Sequence, residues 1–169
     1  MQSVTGTCKL LQPEHRSSWL QLIRLQAWVV HFLQNSRLSR TQRQHGELTA
    51  DDLHDMKIHA LKQAQQDRFS EKISLIRCGM SVPAKSKLSS LCPFIDDDGL
   101  VHCRGRLQYA DFLPEHTVNP VILPCSHAVT RLLVKAFHDE GHHIAGTSEC
   151  LVVLSAKYWI IAAREAVRE

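Results

Sequence analysis

The sequence predicts a mainly α-helical chain with a small insert made of a β-hairpin and a short strand. Three observations predict it. Long stretches with helical apolar spacing occupy residues 17–37 and 49–77 without an internal proline or glycine. A turn signal, Asp96-Asp97-Asp98-Gly99, separates two short apolar pieces in the middle. Beyond Ser126 the apolar spacing returns to that of a helix. The 169 residues suffice for one ordinary domain or two small ones, and the 44% hydrophobic share allows a packed core.

The organisation follows in order. Residues 1–16, with Gly6 and Pro13, read as an irregular lead-in. Residues 17–80 form a helical region. Its first helix runs from Ser17 to Arg37, with Trp19, Leu22, Ile23, Gln26, Val30 and Leu33 near helical spacing. Ser17 or Ser18 is expected to cap its start, and Trp19 and Trp28 are expected in the core. Arg37 to Glu47 reads as a basic, solvated loop. Thr49 with Asp52 resembles a capping box, so the acids at 51, 52 and 55 are explained by helix-start chemistry. The second helix continues to Arg77. Leu53, Met56, Ala60 and Ala64 make one stripe, Phe69, Ile73 and Ile76 a displaced one, and Gly79 is a stop signal.

Residues 81–125 form a loop and hairpin segment. Phe94-Ile95 and Leu100-Val101 are its strands, and Thr117 to Pro124 reads as a further strand. Residues 126–169 read as a helix carrying Val129, Leu132, Leu133 and Ala136 and ended by Gly141, then a His-rich loop. A second helix from Thr147 to Trp159 and the beginning of a third in "AAREAVRE" follow.

Composition excludes several classes. A net charge of +3 is mildly basic, which permits nucleic-acid contact but does not argue for it, since a dedicated binder usually shows a concentrated basic patch. No apolar run reaches the length of a membrane span, and Met1 to Leu10 has no signal-peptide core. The six cysteines form no C-x-x-C pair, so they read as reduced thiols of a nuclear or cytoplasmic protein, with Cys92 and Cys103 placed to pair only under oxidation. There is no G-x-S-x-G elbow, P-loop or G-x-G-x-x-G. The aspartate trio is turn chemistry, since two-metal sites gather carboxylates from separated elements. No small-molecule substrate is suggested.

"FHDEGHHIAGT" (Phe137 to Thr147) is the one constellation with ligand spacing. Three residues separate His138 from His142 and four separate it from His143, and both spacings fit the His-x(3–5)-His pattern of zinc sites. His142 and His143 are adjacent and therefore alternatives. A closed structural site needs four ligands, usually including thiolates, and Cys150 stands alone.

Four segments, "LCPFIDDDGLVHCRGRLQYAD", "NPVILP", "HAVTRLLVKAFHDEGHHIAGT" and "LSAKYWIIAAREAVRE", resemble the BEL/Pao-type LTR retrotransposon pol polyprotein, at the stretch that joins its RNase H region to its integrase. That family reads "PFxDxxGLxRxxGRL", "HPxxLP", "LxxxxHxxxxHxG" and "LRxxYWIxxxRxxVR". Including the helices before them, the resemblance covers residues 17 to 169, and its specificity lies in the order of the segments. It implies that residues 126–169 are an incomplete three-helix module of the integrase zinc-binding, His-His-Cys-Cys type. His138 matches the first ligand. His143 matches the second by spacing, and His142 matches it by following Gly141. The Cys pair is expected soon after "AAREAVRE", and the chain ends first. Zinc is thus the implied cofactor, at an incomplete site. DNA is an implied partner, as are integrase-type chains, including a second copy of this one. No catalytic Asp-Asp-Glu core is present, and no enzyme activity is expected.

The sequence departs from the pattern at Ser155, at His102-Cys103-Arg104 and in the longer "IAG". These departures leave two alternatives to a zinc-binding and nucleic-acid-binding fragment associated with DNA integration. One is a host-retained protein-interaction domain using the Trp19/Trp28 helix and the 49–77 helix. The other is a non-functional remnant of a transposable element.

Overall fold

A computed structural model describes residues 12–43, 46–104, 114–140 and 152–162. Two long helices, α1 (Trp19–Arg37) and α2 (Ala50–Arg77), pack against each other, and α2 also packs against a four-stranded sheet. The sheet is built from β1 (Pro93–Ile95), β2 (Val101–Cys103), β3 (Val121–Pro124) and β4 (Tyr158–Ile161), in that spatial order. A short helix, α3 (Glu115–Val118), precedes β3, and α4 (Ala128–Glu140) lies between β3 and β4 in the chain. The chain is mainly helical, as expected, but its β part is larger than a hairpin with one strand. No described helix is long and apolar enough to cross a membrane.

Local chemistry places the ends of α2. The Thr49 hydroxyl accepts from the Asp52 amide at 3.2 Å, and the Asp52 carboxylate accepts from the Thr49 amide at 2.8 Å, which makes the capping box reciprocal. The Thr49 side chain and backbone hydrogen bonds hold the Asp52 carboxyl below its ordinary value. At the other end Gly79 takes φ +69°. Its amide donates to the Ile76 carbonyl and that of Met80 to the Leu75 carbonyl, the paired bonds of a Schellman stop. The displaced apolar stripe has a backbone cause. Phe69 leaves helical geometry at φ −126°, ψ 17°, and the kink turns the last turns of α2 onto a second apolar cluster.

That second cluster joins Phe69 and Ile73 to Leu88, Val101, Cys103 and Ile122. The larger cluster draws on α1 (Leu22, Ile23), α2 (Ala60, Leu61, Ala64), β3 (Val121, Leu123), α4 (Val129, Leu133) and β4 (Tyr158, Ile160). Successive residues of β3 therefore serve different cores, as the two-residue period of a strand requires.

α1 departs from expectation in two details. Ser18 occupies the N-cap position, but its hydroxyl makes no capping bond. Trp19 packs against the core as expected, whereas Trp28 is exposed.

The hairpin is confirmed. Phe94 pairs with His102 and Ile95 with Val101, antiparallel. Gly99 closes the turn at φ +80°, and Asp96 Oδ1 accepts from the Leu100 amide at 2.7 Å. Cys92 and Cys103 are free thiols, the first exposed and the second buried on β2. The strand expected from Thr117 begins only at Val121. The Pro114 carbonyl takes the amides of Thr117 and Val118, and Pro120 has no amide to offer a ladder.

The largest correction concerns the helix expected from Thr147 to Trp159. Residues 152–155 are helical, but Tyr158–Ile161 is a strand, parallel to β3 in the register Val121↔Tyr158 to Pro124↔Ile161. Aromatic and β-branched residues favour this state, and burial alternates, with Tyr158 and Ile160 inside and Trp159 outside. β3, α4 and β4 thus form a β-α-β unit, the connection that parallel strands need. The lead-in of residues 1–11, the Gly141 stop, the Thr147 cap, Cys150 and, beyond Ala162, the third helix expected over 162–169 lie outside the described residues.

Candidate functional site

His138, the first ligand of the expected zinc site, stands exposed in the last turn of α4. His142 and His143 lie outside the described residues. Among the described residues no group of three or more His, Cys, Asp or Glu side chains could hold a metal ion. The described thiols do not extend the site around His138. Cys125 precedes the start of α4, about 20 Å away along the helix at the standard rise. Cys103 is buried, and burial pushes its thiol up, against the thiolate that zinc requires. Of the expected ligands the described residues include His138 alone, and a closed site around it would need residues beyond those described.

A second polar constellation does form, where the reading of the sequence had seen only a turn. His54, Phe94, Asp96, Asp97, Asp98, His102, His116 and Asn119 line an open groove of about 510 Å³ beside the hairpin. His102 is its hinge. Nδ1 lies 2.6 Å from the Asn119 carbonyl oxygen, and Nε2 lies 2.8 Å from Asp96 Oδ2. A carbonyl only accepts, and the same carboxylate already accepts from the Leu100 amide. Nδ1 is therefore the donor to Asn119, and Nε2 faces the carboxylate. Phe94 stacks on the ring at 5.6 Å between centroids and takes the Arg104 guanidinium at 5.2 Å.

His127 has the complementary arrangement. Its Nδ1 accepts from the Val129 amide at 3.2 Å, so its Nε2 is free to donate to Asp67 Oδ2, also at 3.2 Å. A neutral ring satisfies both bonds and ties the start of α4 to the middle of α2. His59 is different again. Burial, with Lys62 nearby, holds its pKa below the ordinary histidine value and keeps the ring neutral. Burial also pushes the Tyr158 hydroxyl up to about 12.

Among the described residues no nucleophile is paired with a base in this groove, and the His102 ring joins three pieces of chain: the turn, β2 and Asn119. His102→Phe keeps an aromatic ring beside Phe94 and removes both bonds. It is expected to cost about 1–2 kcal/mol in urea unfolding, with faster amide exchange at Leu100. Unchanged stability and exchange would show that the ring pins nothing.

The signal that could have revealed His102 was its place in "VHC". A polar residue between two buried neighbours on a strand faces the other side, toward whatever lies there. Gln65 was also passed over. Its side chain is fully buried and bridges β2 and β3, donating to the Val101 carbonyl at 2.9 Å and the Ile122 carbonyl at 2.8 Å, and accepting from the Val101 amide at 2.9 Å.

The four segments that carry the retrotransposon resemblance map onto the β part and α4. The first contains β1 and β2, "NPVILP" contains β3, the third contains α4 and the last contains β4. Comparison with family models, curated proteins and solved structures finds no match to this chain.

Proposed function

We propose that the chain is a BEL/Pao-type, retrotransposon-derived module that binds zinc and nucleic acid and carries no catalytic core. Its sequence spans the linker between RNase H and integrase and enters an integrase zinc-binding domain. The observation that carries this reading is the order of the four motifs from Leu91 to Glu169, ending in the His138 to His143 spacing. His138 supplies one imidazole at the end of α4, and His143 or His142 supplies a second from the following residues. Two neutral imidazoles would each give one nitrogen to the metal. Zinc supplies the crosslink that a small apolar core lacks. The remaining ligands come from outside the described residues or from a second chain. The mild net positive charge is compatible with contact to the DNA backbone.

The test is metal analysis of the purified chain after exhaustive dialysis, together with thermal unfolding. About one bound zinc per chain is expected for a closed site, and His138→Ala is expected to lose the metal and unfold at lower temperature. A chain without stoichiometric zinc, whose unfolding His138→Ala leaves unchanged, would overturn the zinc reading. Binding to duplex DNA that vanishes at modest salt and shows no sequence preference would reduce the nucleic-acid reading to charge attraction.

A second reading, a protein-interaction domain, is favoured by the exposed aromatic face of α1, where Trp28 and Phe32 stand free of the core. Partner binding that involves this face, without DNA binding, supports it.

A further inference from the structure

The outer face of α1 is a row of large side chains at four-residue intervals, Leu20, Arg24, Trp28 and Phe32. Residues so spaced are neighbours one turn apart and form a continuous ridge. Leu20 is 55%, Trp28 48% and Phe32 70% exposed, and Arg24 is exposed. The opposite side of the helix buries Leu22, Ile23, Gln26 and Ala27. Helix α1 contains no acidic residue, and none occurs between Glu14 and Glu47. Arg24 therefore has no carboxylate on its own helix, and its neighbour along the ridge is the Trp28 ring.

The row is complementary to itself when read in reverse. Placed against a second, antiparallel copy with the two-fold axis at the level of Gln26, Arg24 meets Trp28 of the second copy and Leu20 meets Phe32. The same two contacts recur on the other side of the axis. A parallel pairing instead sets Arg24 against Arg24. Rows of this spacing run side by side when helices cross near −50°, the commonest packing angle.

We propose that the chain self-associates as a two-fold dimer through this ridge, with two reciprocal Arg24–Trp28 cation–π contacts flanked by two Leu20–Phe32 contacts. A guanidinium over an indole is the strongest such pair, and aromatic and arginine anchors dominate protein interfaces. The ridge is about 18 Å long at the standard helical rise. It buries less than the roughly 1,200 Å² of a standard interface, so the dissociation constant falls in about the micromolar to submillimolar range. The proposal stands on α1 alone and does not depend on the zinc reading.

Sedimentation equilibrium of the full chain, with and without EDTA, tests it. The mass is expected to rise from monomer toward dimer across that range, equally in both buffers. Trp28→Arg, which sets arginine against Arg24 of the other copy, is expected to give a monomer with unchanged far-ultraviolet circular dichroism. The double exchange Arg24→Trp with Trp28→Arg preserves the reciprocal pattern and is expected to restore the dimer. A wild-type chain that stays monomeric throughout would overturn the proposal. So would an association lost in EDTA, undisturbed by Trp28→Arg, or not restored by the double exchange.

Discussion

Replacing Gln65 by leucine is expected to lower the unfolding free energy by about 3 kcal/mol, from three hydrogen bonds lost at roughly 1 kcal/mol each. The volume changes little, so the effect isolates polar satisfaction. Strands β2 and β3 are paired at a single residue couple, His102↔Val121. Beside it the strands are joined by the Gln65 amide group, which serves the carbonyls of Val101 and Ile122 and the amide of Val101. Without it, three buried backbone groups stand in an apolar interior, and each such group is costly. Denaturant titration of Gln65→Leu against the exposed neighbour Gln66→Leu is the measurement. The neighbour is expected to change stability by less than about 0.5 kcal/mol. Equal midpoints for the two variants would mean that β2 and β3 hold together without the bridge. Gln65→Glu sharpens the result. It removes both amide donors and brings a carboxylate against two carbonyl oxygens, so it is expected to destabilise at least as much as leucine.

Leu123→Ala is expected to cost about 3 kcal/mol, within the roughly 2–5 kcal/mol range for leucine truncated in a core. Leu123 is fully buried on β3, in the cluster that also holds α1, α2, α4 and β4 residues. Few neighbouring elements can move into the space, because β3 is flanked by β2 on one side and β4 on the other. Trp159→Ala is the comparison. Trp159 pairs with Ile122 through the backbone but turns its side chain outward, 45% exposed. Its truncation is expected to cost well under half as much, although the side chain is larger. Thermal unfolding of both variants checks the order. A reversed order would contradict the parallel placement of β4 and the alternation of its side chains.

Trp159 also shows how far the sequence could be read. "AKYWII" carries four strand-favouring residues in a row, yet a run this short is ambiguous beside a helical pattern. Four residues are too few to establish a period, so the decision rested on a partner, β3, more than thirty residues earlier. The same limit applied to Gln65. On α2 it lies in the polar run "KQAQQDR", and its role comes from strands 36 and 57 residues further along. Asp96 reads as turn and that reading holds, whereas His102 lies one residue beyond the apolar piece Leu100-Val101 that the sequence marks and belongs to β2. Their pairing through Asn119 required the hairpin and β3 to meet.

By itself the sequence determined the features that act over a few residues. These are the Thr49–Asp52 box, the Gly79 stop, the aspartate turn closed by Gly99, the two long helices, and the spacing of His138 from His142 and His143. Each depends on bonds or steric limits within about one helical turn, so the local residues suffice. The tertiary structure alone decided that β4 is a strand, that the kink at Phe69 divides α2 between two cores, and that Gln65 stitches β2 to β3. It also decided that Trp19 faces inward while Trp28, on the same helix, is left outside. These outcomes depend on which apolar face finds a partner and which buried polar group finds its complement. Such pairings join residues far apart in the chain, and no local pattern specifies them.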